Sequence, residues 1–278
     1  MAGVGTTGQG SHPGVSPYGL ALEAVEAALA DAGIENHYRI DGIVTARQLD
    51  GSGSDPMDLA RLIGAAPRVT GALDYGTGGF STQYAAMLIA TGICEMVLCT
   101  FARNPAGVME VLSGAATYEA DCGLVNAAAA SAFGWCQHMA RYGSDVETLG
   151  RVAVTARQYA TMNPIAAWRE PLSFDEYLAE PYAIWPLRRL DIAKVIAGGV
   201  CILMARSDIA RDLRKQPVYL HATGRQQAPE ILDDVDHFLC HGMRSSARQV
   251  FDAAGMVPSD IDVLLVSDAS TVAIPLTL

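Results

Sequence analysis

The sequence contains an internal repeat, which constrains the fold more than any other feature. Near its beginning, LADAGIENHYRIDGIVT predicts a helix, a glycine stop, a short connection and a strand; near its end, FDAAGMVPSDIDVLLVS predicts the same order with a shorter connection. Gly33 matches Gly255, and Ile40-Asp41 matches Ile261-Asp262. Self-similarity of this kind indicates a duplicated α/β unit. The first copy continues far beyond its strand, and we expect the second copy to be incomplete.

The stretch LDYGTGGFSTQYAAMLIATGICEMVLCT predicts a glycine turn, a helix buried on all sides and a buried strand. Gly76, Gly78 and Gly79 precede or begin the helix, where N–H groups lack partners and glycine lets another group approach closely. An anion or a carbonyl oxygen can be held at such a helix start. Gly92 ends the helix, and Met96 to Thr100 has the composition of a buried strand.

Further elements alternate between helix and strand. Ser16-Pro17 and Asp55-Pro56 each predict a helix start, with an N-cap residue followed by proline in the first turn. Ile40 to Thr45, Arg68 to Leu73 and Val218 to Thr223 predict strands. This alternation indicates an α/β fold with a largely parallel sheet.

Composition excludes several classes of protein. Half the residues are hydrophobic and 18% are charged, which predicts a cytoplasmic globule without a membrane span or signal peptide. A net charge of −11 argues against nucleic acid as a partner, because phosphate binding needs a basic face. No C-x-x-C pair is present, so buried, reduced thiols are expected rather than metal ligands. The cysteines are Cys94, Cys99, Cys122, Cys136, Cys201 and Cys240.

The glycine turn, the IATG helix end and the hydrophobic strand after it together resemble the nucleophile segment of the thiolase superfamily. Within it, the similarity is to sterol-carrier-protein-type thiolases and lipid-transfer-protein aldolases. The resemblance implies a duplicated βαβαβ unit with mixed and parallel sheets and a helical loop domain. It assigns residues 1–215 to an N-terminal half, with the loop domain at about 104–190, and residues 216–278 to the start of a truncated C-terminal half.

In this family a cysteine opens the loop as C-x-x-G, and counting back from Gly92 to that place reaches Tyr75. A phenol, with a reference pKa of about 10, is a poor nucleophile beside a thiolate at a helix N-terminus. The D-Y-G sequence at Asp74 to Gly76 resembles the aldolase branch, which lacks the cysteine. Tyr75 is therefore a candidate catalytic phenol; the alternative is a ring that only packs over the turn.

A second family motif corresponds to LLVSDAST. Sterol-carrier-type thiolases have H-D-x-F there and the aldolases Y-D-x-F-T, whereas this chain has Ser267, Asp268 and Ser270. A serine hydroxyl needs a neighbouring base to transfer protons near neutral pH. Asp268 is more plausibly a hydrogen-bond acceptor at a helix start than a catalytic group. The family's later GHP and C-x-G motifs do not occur in this sequence.

The middle of the chain resembles the loop domain that covers coenzyme A in the family. The matching segments are HMARYG, NPIA and PLRRLD. The resemblance makes Gly76, Gly78 and Gly79 candidates for holding the thioester. It makes Arg169, Arg188 and Arg189 candidates for phosphate contacts, and the alternative is that they are ordinary surface arginines.

Three functions remain open. The first is a retro-aldolase subunit that cleaves a carbon–carbon bond of a β-hydroxyacyl-CoA with a steroid or other bulky side chain. The second is an acyl-CoA thiolase, which the missing cysteine disfavours. The third is a silent acyl-CoA-binding or structural subunit.

The resemblance also implies partners and a substrate class. The substrate would be a coenzyme A thioester, with no tightly bound cofactor, and the aldolase would pair with a small OB-fold protein of the DUF35 type. We also expect a homodimer joined through Met96 to Thr100, because an apolar edge strand is a liability in a monomer.

Overall fold

The computed structural model describes residues 1–47, 53–74, 78–105, 126–194, 196–226 and 235–277. The chain divides into two compact units. One comprises Met1–Val108 and Ile196–His221, and the other comprises Met109–Val195 and Ala222–Leu278. The predicted halves, 1–215 and 216–278, concern the repeat rather than compactness, and they stay a prediction.

As far as the strand at Met96–Arg103, the described elements follow the predicted alternation of helix and strand. In chain order they are β1 (Gly3–Thr6), α1 (Pro17–Ala32), β2 (Gly42–Arg47), α2 (Pro56–Ile63), β3 (Val69–Asp74), α3 (Gly78–Ala90), β4 (Met96–Arg103), α4 (Ala127–Tyr142), α5 (Val146–Met162), α6 (Phe174–Ala179), β5 (Tyr182–Ile184), β6 (Leu187–Arg188), β7 (Gly198–Ala205), α7 (Ser207–Arg211), α8 (Val235–Ala254) and α9 (Ala273–Thr277). Short 3-10 helices lie at His37–Arg39, Arg189–Asp191 and Pro258–Asp260.

The first unit is built on a mixed sheet in the order β1-β7-β4-β2-β3. β2 is parallel to both β3 and β4, whereas β7 is antiparallel to β4 and β1. Successive strand residues point to opposite faces. Ile43 therefore packs in one core with α1 and α2, and Val44 packs in another with α3. The mixed α/β sheet that the sequence predicted is confirmed.

Helix ends in the first unit form where the sequence placed them. The Ser16 hydroxyl accepts a hydrogen bond from the Gly19 N–H at the start of α1, and Pro17 follows it. The Asp55 carboxylate accepts from two N–H groups at the start of α2. Gly33 ends α1 with φ 73°, a left-handed conformation that glycine adopts at little cost.

Two predictions about the central stretch are wrong. α3 is not buried on all sides, because Met87 is 59% exposed although Ala85 is fully buried. β4 is not an edge strand: it lies between β7 and β2. The antiparallel strand β7 is hydrogen-bonded to the edge of β4 that the prediction had treated as unpaired. Because β4 already has a strand on each side, it cannot extend the sheet into a second copy as predicted, and whether the chain forms a homodimer stays a prediction.

The second unit contains the helices of the predicted loop domain. α4 and α5 each begin after a residue whose side chain accepts a hydrogen bond from the helix backbone, and at the start of α6 both halves of a capping box between Ser173 and Glu176 are formed. Trp135 of α4 is fully buried and packs in a core with Leu149, Leu187 and Val272.

The second copy of the repeat also lies in this unit. Gly255 follows α8 with φ 65°, as Gly33 follows α1, and a 3-10 helix comes next in both copies. Residues 261–266 then carry no strand assignment, and neither do residues 218–223, where a strand was predicted. The helix, glycine and connection of the repeat are therefore confirmed in the second copy, and its strands are not.

Candidate functional site

The predicted glycine turn joins the ends of two described elements. Asp74 ends β3, where it is in register with Arg47 at the end of the parallel strand β2, and Gly78 begins α3. Ligands in open α/β sheets commonly bind at the carboxyl ends of parallel strands. Tyr75 and Gly76 lie outside the described residues, so their predicted roles stay predictions.

The first turn of α3 leaves room for a ligand. A Cβ added to Gly79 would meet no atom within 4 Å, and Gly79 is exposed. The Thr82 hydroxyl donates to the Gly79 carbonyl at 3.0 Å. Gly79 thus lets another group approach the start of α3 closely, and the positive end of the helix dipole there favours a developing oxyanion.

None of the four cysteines whose side chains the structure describes is suited to replace the missing nucleophile. Burial raises the pKa of Cys99 to about 12, and its thiol donates to the Ser81 carbonyl at 3.4 Å. Burial also raises the pKa of Cys94, Cys136 and Cys201. Because the thiolate is the reactive form, each of these shifts lowers the reactivity of the thiol near neutral pH.

In the second unit, Ser267 and Asp268 are exposed and adjacent to a buried segment. Ser270 is 4% exposed, and its hydroxyl donates to the Ser131 hydroxyl at 3.0 Å. The serine that stands in place of the family's phenylalanine is thus a packing residue bonded to α4. The predicted roles of Ser267 and Asp268 stay predictions.

Asp191, to which the sequence pattern assigned no role, is 1% exposed at the end of a 3-10 helix. Its carboxylate accepts hydrogen bonds from the Tyr177 hydroxyl, the Arg188 N–H and the Thr271 hydroxyl. The available signal was an aspartate next to apolar residues in PLRRLD. That signal was weak, because a buried carboxylate is recognisable only when its donors are known.

Two of the candidate phosphate-binding arginines have internal partners. Arg188 is 9% exposed; its guanidinium lies 4.4 Å from the Tyr182 ring centre and donates to the Glu180 carbonyl. Arg189 pairs with the Glu180 carboxylate at 3.1 Å, although its side chain is mostly exposed. The structure brings these two together but gives Arg188 a role within the fold.

The third candidate, Arg169, is exposed and follows a tryptophan that two cations flank. The guanidinium of Arg157 lies 5.1 Å from the Trp168 ring centre, and the Lys194 ammonium lies 4.8 Å from it. Arg157 also donates to the Glu170 carbonyl at 3.1 Å, which holds it in place. These residues concentrate positive charge beside an aromatic surface in a chain of strongly negative net charge.

The described part of the chain contains neither a metal-binding cluster nor a membrane-crossing helix. No group of three or more histidine, cysteine, aspartate or glutamate side chains is arranged there to hold a metal ion. Likewise, no helix within those ranges is both long and apolar enough to cross a membrane.

No family model matches the chain, but curated relatives match nearly all of it. A steroid side-chain-cleaving aldolase of Thermomonospora curvata is 31% identical, over 98% of this chain and 74% of the relative. A 17-hydroxy-3-oxo-4-pregnene-20-carboxyl-CoA lyase of Mycobacterium tuberculosis is 28% identical, over 98% of this chain and 75% of the relative.

Solved structures agree with these relatives. The Ltp2-ChsH2(DUF35) aldolase has a TM-score of 0.89 at 30% identity, covering 99% of this chain and 74% of that one. A monomeric SCP2-thiolase-like protein of Mycobacterium smegmatis has a TM-score of 0.80 at 24% identity, covering 99% of this chain and 61% of that one. The fold is therefore that of a thiolase-like α/β protein. The chain belongs to the aldolase branch of the sterol-carrier-type thiolase superfamily.

Proposed function

We propose that the chain is an acyl-CoA retro-aldolase subunit that acts on a β-hydroxyacyl-CoA with a steroid or other bulky side chain. One observation carries this proposal: similarity to a steroid side-chain-cleaving aldolase extends over 98% of the chain. The chain also has Tyr75 where thiolases have their cysteine, which supports it. The Mycobacterium tuberculosis relative is itself named as a CoA lyase.

The reaction needs a base, a place for an oxyanion and a proton donor. Loss of the hydroxyl proton turns the β-carbon into a ketone as the bond between the α- and β-carbons breaks. The electron pair moves onto the α-carbon of the thioester, and the resulting enolate oxygen is stabilised by N–H groups at the start of α3. Protonation of the α-carbon then releases a shortened acyl-CoA. No free coenzyme A and no acyl-cysteine take part.

Candidate groups for the proton transfers are few. Tyr75 is proposed to orient the substrate hydroxyl or to exchange its proton. Ser267 is proposed to be a secondary polar contact, because serine lacks the proton affinity that this step requires. Asp268 is proposed to act beside it as a hydrogen-bond acceptor.

For the nucleotide end of coenzyme A we propose the Trp168 platform, which consists of Arg157, Trp168, Arg169 and Lys194. Two cations beside an indole suit a phosphate next to an aromatic base.

Lys194→Ala should raise KM about tenfold and leave kcat within about twofold, as expected for lost ground-state binding. Arg151→Ala is the matched control, because Arg151 is an exposed cation paired with Glu147 on α5. Equal KM values for both variants would refute the platform.

We propose two assemblies, with a DUF35-type OB-fold protein and with a second copy of this chain. The first rests on the name of the Ltp2-ChsH2(DUF35) neighbour. The second rests on β3, an edge of the described sheet that pairs only with β2 and has an exposed Ala72. Charge at an edge strand opposes pairing. Light scattering at micromolar concentration should report a dimer for the wild type and a monomer for Ala72→Lys; a wild-type monomer would refute the dimer.

Tyr75→Phe tests the chemistry, because it removes only the hydroxyl. In the full chain with its partner, this variant should fold normally and lose about a hundredfold in aldol cleavage, the range of general acid–base participation. Tyr84→Phe, on α3, is the matched control and should keep its activity. Equal rates for both variants would remove the Tyr75 hydroxyl from the mechanism.

The silent subunit is the second candidate, and Ser267 and Ser270 in the SDAST motif favour it. It predicts acyl-CoA binding without turnover in the wild type. Binding measured by calorimetry together with absent cleavage, in the presence of a competent DUF35-type partner, would decide for it.

A further inference from the structure

We propose that Asp191 is a positioning residue, which fixes the loop that carries Ser267 and Asp268 and thereby sets how these two groups face the acyl-CoA. The loop comprises residues 267–271 and is called the SDAST loop below. The proposal rests on the proposed aldolase function for its chemical consequence. The attachment of the loop to Asp191 is independent of that function.

Backbone hydrogen bonds join the SDAST loop to the segment that begins at Asp191. The Thr271 N–H donates to the Asp191 carbonyl at 2.9 Å, and the Ala193 N–H donates to the Ala269 carbonyl at 3.1 Å. Between them, Ile192 and Ser270 form an antiparallel bridge. The second part of the loop therefore behaves as a short strand paired with residues 191–193.

The Asp191 side chain adds a connection that the backbone alone does not provide. The Thr271 hydroxyl donates to Oδ1 at 2.8 Å, and the Arg188 N–H donates to Oδ2 at 2.7 Å. The Tyr177 hydroxyl lies 3.0 Å from Oδ1 and 2.9 Å from Oδ2. A buried carboxylate is tolerated only when donors surround it, and here the donors come from α6, from β6 and from the loop.

The Tyr177 hydroxyl stays protonated and can therefore always donate a hydrogen bond to the Asp191 carboxylate. Burial, with the nearby Asp191 carboxylate as the next cause, raises the pKa of Tyr177 far above its usual range. The phenol therefore remains a donor at any pH at which an enzyme works. The ring is fully buried, so the phenol serves the network rather than a substrate.

The SDAST loop is fixed at one end and open at the other. Ser270 and Thr271 are 4% and 8% exposed, whereas Ser267 and Asp268 are exposed. Polar groups next to a rigidly held segment have a defined direction, which is what orienting a substrate requires. Asp191 thus acts through the loop and touches no substrate itself.

Asp191→Asn tests this inference in the full chain with its DUF35-type partner. Asparagine keeps the size of the side chain but replaces one acceptor oxygen with a donor, which faces another donor. Misplacement of the loop should lower kcat at least tenfold and leave KM within about twofold, because small displacements at a reacting centre are costly. Hydrogen exchange at the amides of 269–271 should accelerate at least tenfold. Asp175→Asn, an exposed aspartate in the first turn of α6, is the matched control and should change neither.

Thr271→Val is the second variant, for the case in which Asp191→Asn does not fold. It keeps the shape of the side chain and removes the single hydroxyl that ties the loop to the carboxylate. Faster exchange at 269–271 with a lower kcat and an unchanged KM supports the proposal.

Exchange and kcat at wild-type levels in a folded variant overturn the proposal, as does a change in KM alone. If the wild type shows no cleavage at all, the proposed function fails. Exchange at 269–271 then still decides whether Asp191 holds the loop, so the two failures are distinguishable.

Discussion

In the first copy of the repeat, α1 ends at Gly33, a 3-10 helix follows, and β2 lies between two parallel strands. In the second copy, α8 ends before Gly255, a 3-10 helix follows, and residues 261–266 extend without a paired strand in the described chain. Ile40 is fully buried, whereas its counterpart Ile261 is 41% exposed, and Leu265 is 93% exposed.

The two copies show which structure a segment forms by itself and which it forms only when other segments pair with it. Glycine in a left-handed conformation and a proline- or asparagine-initiated 3-10 turn are local features, and they form in both copies. A strand needs hydrogen-bond partners on another chain segment. The two copies therefore share the glycine-terminated helix and the 3-10 helix, and they differ in whether the next segment forms a strand.

The largest expected difference is in apolar burial. Ile40→Ala should lower the free energy of unfolding by about 2–5 kcal/mol, because it opens a cavity in the core beneath α1. Ile261→Ala should cost less than about 0.5 kcal/mol, since its side chain is partly in water. Urea unfolding of the full chain, followed by circular dichroism, measures both. Equal losses would show that residue 261 is packed against something.

A smaller difference is expected at the aspartate that follows. The Asp41 carboxylate accepts hydrogen bonds from the Glu95 N–H and the Met96 N–H, each at 2.8 Å, and so fixes the start of β4. Asp41→Ala should cost about 1–3 kcal/mol, because it leaves donors unpaired. Asp262 is exposed, and Asp262→Ala should lie within about 0.5 kcal/mol of the wild type. The same urea experiment compares the pair, and a matching cost at Asp262 would contradict the difference between the copies.

The smallest difference is expected at the glycines, where the copies agree. Gly33→Ala and Gly255→Ala should each cost about 1–2 kcal/mol, the penalty for a side chain in the left-handed region. A Cβ at Gly33 would lie 3.1 Å from the Cβ of Arg214, whereas at Gly255 it meets no atom within 4 Å. Gly33→Ala should thus be slightly the worse of the two. A cost at Gly33 alone would mean that Gly255 is held less firmly than its backbone angle indicates.

The features that the sequence predicts correctly are local. Ser16-Pro17 and Asp55-Pro56 at helix starts depend on residues a few positions apart. The features that it does not predict arise where distant segments meet. The central place of β4 depends on β7, far along the chain, and the buried role of Asp191 depends on Tyr177 and Thr271. Neither could be inferred from spacing alone.

The candidate site divides in the same way. Gly78 and Gly79 at the start of α3 follow from a local pattern, and the structure has the helix there. The role of Arg188 in phosphate binding followed from a motif and stays a prediction; the structure adds that its guanidinium lies against the rings of Tyr177 and Tyr182. An arginine side chain is long enough to extend into solvent or into the protein interior, and the sequence around it does not show which of the two it does.

The central claim is that this chain cleaves a carbon–carbon bond in an acyl-CoA without an acyl-cysteine. The most direct test is to incubate the full chain and a DUF35-type partner with a β-hydroxyacyl-CoA and to follow products by mass spectrometry. We predict equal amounts of a ketone and a shortened acyl-CoA, formed with no free coenzyme A added. Cleavage by free coenzyme A of a matched β-ketoacyl-CoA, with the β-hydroxyacyl-CoA left unchanged, would indicate thiolase chemistry and would contradict the account, as would no cleavage of either substrate.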